Sequence, residues 1–127
     1  MESLKIGKEI YSLLNGNEEL TKLVGNKIYP IIVEKETTFP FIVYKRTNLT
    51  PEYTKDYHLK DNVYIEIICV SDNYSESIDL VSIVRKILEN KRDLAKGITN
   101  IILESANEDF IDNAYIQTIN FKISINK

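Results

Sequence analysis

Few side chains in this chain could do covalent or metal chemistry. Its 127 residues include one histidine, His58, and one cysteine, Cys69. His58 stands in "KDYHLKD" with no nucleophile or orienting group in a triad-like pattern around it. Cys69 lies in the apolar run "IEIICVS" and reads as a small buried hydrophobe. Together they cannot fill the tetrahedral nitrogen and sulfur set of a zinc site. The acidic group Glu104, Glu108, Asp109 and Asp112 lacks the alternating oxygens, central glycine and closing glutamate of a calcium loop, so it reads as a solvated hairpin tip. The glycines, Gly7, Gly16, Gly25 and Gly97, are too dispersed to build a phosphate cradle. Glu76 and Asp79 fall at an expected helix start, where the backbone dipole alone favours acids. No residue is assigned a catalytic, cofactor-binding or metal-binding role, and nothing here argues for an enzyme.

Contact chemistry is more evident. Between Lys45 and Lys60 the chain sets Lys45, Arg46, Lys55 and Lys60 against Glu52 and Asp56, a basic excess in a protein with 16 basic and 19 acidic residues. The same stretch carries Tyr53 and Tyr57, a residue type enriched where proteins touch. Read as a loop from Asn48 to Asp61, it forms a tongue longer than a normal hairpin connection. The overall balance is −3 with a pI near 5.2, which argues against a dedicated nucleic-acid binder.

The elements that must position this tongue follow from periodicity. Ile6, Ile10, Leu13 and Leu14 give the stripe of a helix over Glu2 to Asn15, with Ser3 as its cap and Gly16 beyond its end. A short helix follows in "NEELTKLVG", capped by Asn17 and stopped by Gly25. "KIYPIIV" is a strand that Pro30 confines to an edge or a bulge. Strands are expected from Phe39 to Thr47 and over "NVYIEIICVS". Asn73 and Glu76 resemble a capping box, opening a helix from Tyr74 to about Asn90 with the stripe Ile78, Val81, Val84 and Leu88. "ITNIILES" and "NAYIQTINFKISIN" are two more strands, joined by "ANEDFIDN" as a hairpin connection. The last strand alternates cleanly, with Tyr115, Ile119, Phe121, Ile123 and Ile125 on one side.

This order, α-(α)-β-β-β-α-β-β, implies an α+β fold: an antiparallel sheet of four or five strands with two main helices on one face. Apolar content of 43% and charged content of 28% suit one globular domain over residues 1–127. The amino-terminal stretch has no signal-peptide pattern, no run is long enough for a membrane span, and the single cysteine fits a reducing compartment, so the chain reads as cytosolic or assembled in cytosol.

Two strands are apolar on nearly both sides, more than helices on one face can cover. Uncovered apolar sheet marks a contact with another chain, unless a loop or the short amino-terminal helix folds over it. The expected interface draws on Ile42, Tyr44, Arg46, Tyr64 and Ile68 from the sheet. From the tongue it draws on Tyr53, Lys55, Tyr57 and His58.

The succession "LVGNKIYP", "FPFIVYKRTNLTP" and "VYIEIICVSDNYSESIDLVSIVRKIL" resembles the tail-completion or tail-terminator proteins of long-tailed phages and prophages. Gly25, Ile28, Tyr29, Pro40, Tyr44, Tyr74, Val84, Arg85 and Leu88 occupy that family's characteristic places, over a resemblance running from about residue 3 to 125. The resemblance implies a structural, non-catalytic protein without cofactor, made in the bacterial cytoplasm and resident in the virion tail or neck. It also implies a ring of identical copies, commonly a hexamer, that caps the finished tail tube and meets the head connector. DNA would pass through the lumen, and the tongue would face either that lumen or a neighbouring subunit. A head-tail connector or neck subunit is the nearest alternative. From a different class comes a small α+β ligand-binding or regulatory domain, which requires a deep apolar pocket. The ring requires a flat apolar sheet face and a tongue that is mobile in isolated subunits.

Overall fold

A computed structural model describes residues 1–55 and 57–126. Asp56, counted above in the charge of the tongue, lies outside the described residues. The helices are α1 (Ile6–Asn15), α2 (Glu18–Val24) and α3 (Tyr74–Leu88). The strands are β1 (Ile28–Pro30), β2 (Phe41–Tyr53), β3 (His58–Ser71), β4 (Ile98–Ile111) and β5 (Ala114–Asn126). They form one five-stranded sheet in the order β1-β2-β3-β5-β4.

The α+β class is as expected, but the sheet is mixed. β1 runs parallel to β2, with Ile28, Tyr29 and Pro30 beside Ile42, Val43 and Tyr44. A parallel neighbour needs a long connection rather than a hairpin turn, and residues 31–40 supply it. Pro30 does sit on an edge strand, where its missing N–H costs no ladder bond. All other pairings are antiparallel.

Both hairpins are longer than the sequence pattern suggests. β2 continues through Asn48 to Tyr53 and β3 begins at His58, so most of the expected tongue is paired strand. Polar residues hide this from a hydrophobic-alternation reading, because neither side of the ribbon tip is buried against a helix. Likewise β4 does not stop at Ser105. Ala106 to Ile111 pair with β5, and the connection shrinks to Asp112 and Asn113 at φ 51° and 61°. Asn and Asp tolerate that left-handed conformation, which suits a two-residue hairpin turn.

Helix caps follow local chemistry. The Asn17 carboxamide accepts from Leu20 N at 3.0 Å, and Asn73 Oδ1 accepts from Glu76 N at 2.9 Å. The capping box at α3 is relayed: Ser71 Oγ donates to Glu76 at 2.7 Å and accepts from Asn73 N at 3.0 Å. Ahead of α1 the cap belongs to a 3-10 turn, Ser3–Lys5: the Glu2 carboxylate accepts from Leu4 N at 3.2 Å, while Ser3, the expected cap, is buried.

The core is one cluster. Ile6, Ile10 and Leu14 of α1, Leu20 and Val24 of α2, and Leu80, Ile83, Val84 and Leu88 of α3 meet Val63, Ile65, Ile67 and Cys69 of β3 and Ile119, Phe121, Ile123 and Ile125 of β5. The buried side of α3 is turned from the expected stripe. Ile78 is exposed, while Ser77, Leu80 and Ile83 are buried. Ser77 is accommodated because its hydroxyl donates to Tyr74 O at 2.7 Å and accepts from Gln117 Nε2 at 3.3 Å.

Candidate interaction surface

The strand register decides which expected interface residues reach the surface. Ile42 stands beside Cys69 and Tyr44 beside Ile67, so both share the inward side of β3. Ile42 is 0% exposed and Tyr44 8%, and both belong to the core cluster. The two residues therefore offer no surface, which corrects their place in the expected interface. Alternation in β2 gives two sides but not which side is inward, and the pairing with β3 resolves it. Burial pushes the Tyr44 phenol pKa up, with a smaller contribution from the nearby Tyr11.

The outward side carries Tyr64 and Ile68, both half-buried. Around them the chain shields part of its own apolar sheet. Phe39 stacks on Phe41 at 5.9 Å between ring centroids, and Tyr29 lies 6.5 Å from Phe41. Val43 and Val70 are left only 7% exposed. The segment before β2 thus covers a corner of this side with Phe39, held near by the Tyr29–Thr37 hydroxyl contact at 2.8 Å. Further along, the same side becomes polar, with Lys45 and Glu66 3.7 Å apart.

Tyr53, Lys55, Tyr57 and His58 come together at the tip of the β2–β3 ribbon. Tyr53 is 69% and Tyr57 62% exposed. Thr54 closes the turn: its N donates to Tyr57 O at 2.7 Å, and its hydroxyl donates to the same carbonyl at 3.0 Å. The Tyr53 and His58 rings are 5.0 Å apart, and His58 Nε2 lies 2.8 Å from Asp61 Oδ1. Below the tip, Asn62 donates to Glu52 at 2.7 Å, and Ser124 donates to Asn62 Oδ1 at 3.4 Å. Arg46 sits apart on the helix side, donating to Leu4 O at 2.8 Å. Ile68 lies ten positions along β3 from His58, roughly 33 Å at the usual rise, so the expected set is not one patch.

A second aromatic group escaped the sequence reading. Tyr74, Phe110 and Tyr115 cluster with centroids 5.4 Å (Tyr74–Tyr115) and 4.7 Å (Phe110–Tyr115) apart. The Tyr74 hydroxyl donates to both Glu108 carboxylate oxygens at 3.0 and 3.1 Å, and Gln117 donates to the same group at 2.9 Å. The available signal was the Asp112-Asn113 pair between the aromatic residues Phe110 and Tyr115, two residue types that suit a tight hairpin turn.

Among the described residues, no three histidine, cysteine or acidic side chains gather as a metal-ligand set. The Cys69 thiol is fully buried and its pKa is pushed up to about 12 by desolvation, which keeps it protonated and unreactive. A cleft of about 690 Å³ between α2 and α3 is open, and Glu18, Lys22, Asp79 and Lys86 are among its lining residues. No helix among the described residues is long and apolar enough to cross a membrane.

Known proteins match this arrangement at two levels. A chain in the solved virion of a native gene transfer agent (GTA) particle superposes with a TM-score of 0.81 at 13% identity, covering 93% of this chain and 92% of that one; this shows a shared fold. No curated protein sequence matches the chain. The sequence profile of the family described as tail completion protein gp17 matches residues 8–113. The chain therefore belongs to the gp17 family of tail completion proteins, structural proteins of the virion tail.

Proposed function

We propose that copies of this chain close into a ring on the end of the tail tube, cap it, and present the surface that the head connector meets. Function lies in geometry: the ring occupies the surface on which further tube subunits would add, and no bond is made or broken. The chain then needs neither cofactor nor catalytic residue, and its partners are itself, the tube protein and the connector. A hexamer is the expected ring, with DNA passing through its lumen. The membership of the chain in a tail-completion family supports this reading, as does its fold match to a chain of a virion particle.

The observation that carries it is the β2–β3 ribbon tip. Tyr53 and Tyr57 stand exposed beside Lys55 at the end of a paired strand ribbon, an aromatic and basic contact unit. Large aromatic side chains gain most when another protein desolvates them. Purified tail tubes incubated with the chain should stop elongating and show a terminal ring by electron microscopy. A Tyr53→Ser, Tyr57→Ser double variant should fold normally yet lose capping or head joining. Capping at the wild-type level by that variant would remove the ribbon tip from the mechanism, and tubes that keep growing in excess wild-type protein would remove the capping role.

A further inference from the structure

The sheet has two long unpaired edges, and they differ in charge. On one side β1 pairs with β2 only at Ile42 to Tyr44, and the last bond on that edge is Ile31 N to Tyr44 O at 2.8 Å. From Lys45 to Tyr53, β2 is therefore laddered on its β3 side alone among the described residues. On the opposite side, β4 is covered from Ile98 to Ile101 by the preceding segment, through Asn90 N to Ile101 O and the paired bonds between Asp93 and Ile98. From Ile102 to Ile111 its outer edge has no strand beside it among the described residues.

An open edge invites pairing with another chain, and proteins normally guard one with lysine, proline or a short strand. The free part of β4 has none of these and is interrupted only by a register shift at Glu104; it carries Glu104, Glu108 and Asp109 and no basic residue. Only Phe110 N is locally occupied, by the Asp109 carboxylate at 2.8 Å. The acids make pairing of β4 with another β4 unfavourable, since like charges face one another across such a ladder. The free part of β2 begins with Lys45 and Arg46 and meets Pro51 and Glu52 only near its end, so the part offered for pairing is Lys45 to Thr50.

Strand direction permits the two edges to join. β2 runs against β3, β3 against β5, and β5 against β4, so β4 is antiparallel to β2. If the sheet of one copy continues into the next without inversion, β4 of one lies antiparallel to β2 of the other. Two different edges meeting head to tail form a heterologous contact, the type that closes into a ring.

We infer that the acidic β4 edge, Ile102 to Ile111, is the docking surface for a second copy of this chain, which supplies its basic β2 edge at Lys45 and Arg46. The inference rests on the ring reading above and names the surfaces that would build the ring. The test is charge exchange in the full chain. Glu104→Lys with Asp109→Lys should raise the concentration needed for self-assembly by at least about tenfold, as should Lys45→Glu with Arg46→Glu. All four changes in one chain should restore assembly. Glu108 is left intact because it holds Tyr74 and Gln117.

Amide hydrogen exchange on the wild-type protein gives an answer that does not depend on the variants folding. Amides of residues 102–111 should slow at least about tenfold on self-assembly. Rings that form with those amides unchanged, or that ignore the charge reversals, overturn the edge contact and leave the capping role intact. Protection that appears only when tube protein is added assigns the edge to the tube instead and also overturns it. A wild-type chain that stays solitary even on tail tubes defeats the ring reading along with the inference.

Discussion

The two hairpins end at opposite ends of the same sheet, because Lys60 pairs with Asn126 while Ser71 pairs with Tyr115. They are held by different means. The β4–β5 tip is anchored to α3: Tyr74 and Tyr115 touch as rings, and Glu108 accepts from Tyr74 and Gln117. At the β2–β3 tip, the contacts seen among the described residues join one part of the ribbon to another: Tyr53 with His58, Thr54 with Tyr57, and His58 with Asp61. One hairpin is part of the body and presents a fixed acidic edge; the other projects an aromatic and basic end. The difference teaches that a strand pair can serve as wall or as arm depending on whether a helix stands over its tip. Residues of similar type, exposed tyrosines above all, thus carry stability at one end and remain free for contact at the other.

The largest effect should come from the body that both hairpins share. Ile67 is 0% exposed on the inward side of β3, and Ile67→Asp buries an unpaired charge. The cost is on the scale of the whole folding free energy, about 5–15 kcal/mol. Circular dichroism should show no cooperative unfolding transition; a folded, soluble product would mean that the wrong side has been taken as core.

Tyr115→Ala should come next, removing the ring contacts that tie the β4–β5 tip to Tyr74 and costing about 2 kcal/mol in denaturant unfolding. A loss below about 0.5 kcal/mol would place the two hairpins on the same footing and erase the contrast between wall and arm.

A smaller effect is expected at alkaline pH. The Tyr74 hydroxyl is held protonated above the ordinary tyrosine range, first by its hydrogen bond to Glu108, then by desolvation and by the charge of that carboxylate. A folded-state pKa raised above the unfolded one, about 10 for tyrosine, contributes stability that is complete below the unfolded value. That contribution is lost as the pH climbs through the folded value. Lys96 is also raised, chiefly by its hydrogen bond to Glu9, so it sheds stability in the same direction. Comparing melting temperatures of the wild type and Tyr74→Phe between pH 8 and 11 isolates the tyrosine. The wild type should lose its advantage over the variant as the pH rises, and a constant difference would show that this bond does not anchor the tip.

The smallest change in stability belongs to the arm. Tyr53→Ser with Tyr57→Ser should move the unfolding free energy by no more than about 0.5 kcal/mol, since both rings are largely exposed. A clearly larger loss in calorimetry would mean that these tyrosines support the fold rather than await a partner.

Much of this architecture was legible before any coordinates. The 3.6-residue stripe of Ile6, Ile10 and Leu14, the caps Asn17 and Asn73, and the alternation from Ile119 to Ile125 all became the elements they suggested. The family-bearing motifs also lie in these strongly patterned segments. Two kinds of feature were not legible. The outer halves of both hairpins carry polar residues on each side, so no hydrophobic alternation marks them as strand. In β2, alternation separated Ile42 and Tyr44 from Phe41 and Val43 without saying which pair faces the helices.

Residue order by itself determined the α+β class and the caps at Asn17 and Asn73, because periodicity and capping are local properties. Only the tertiary structure decided that Ile42 and Tyr44 are core and that β1 joins the sheet in parallel. It also decided that an acidic edge and a basic edge lie on opposite sides of one sheet. Strand pairing links residues far apart in the chain, and a shift of one residue in register would exchange every inward side chain for an outward one.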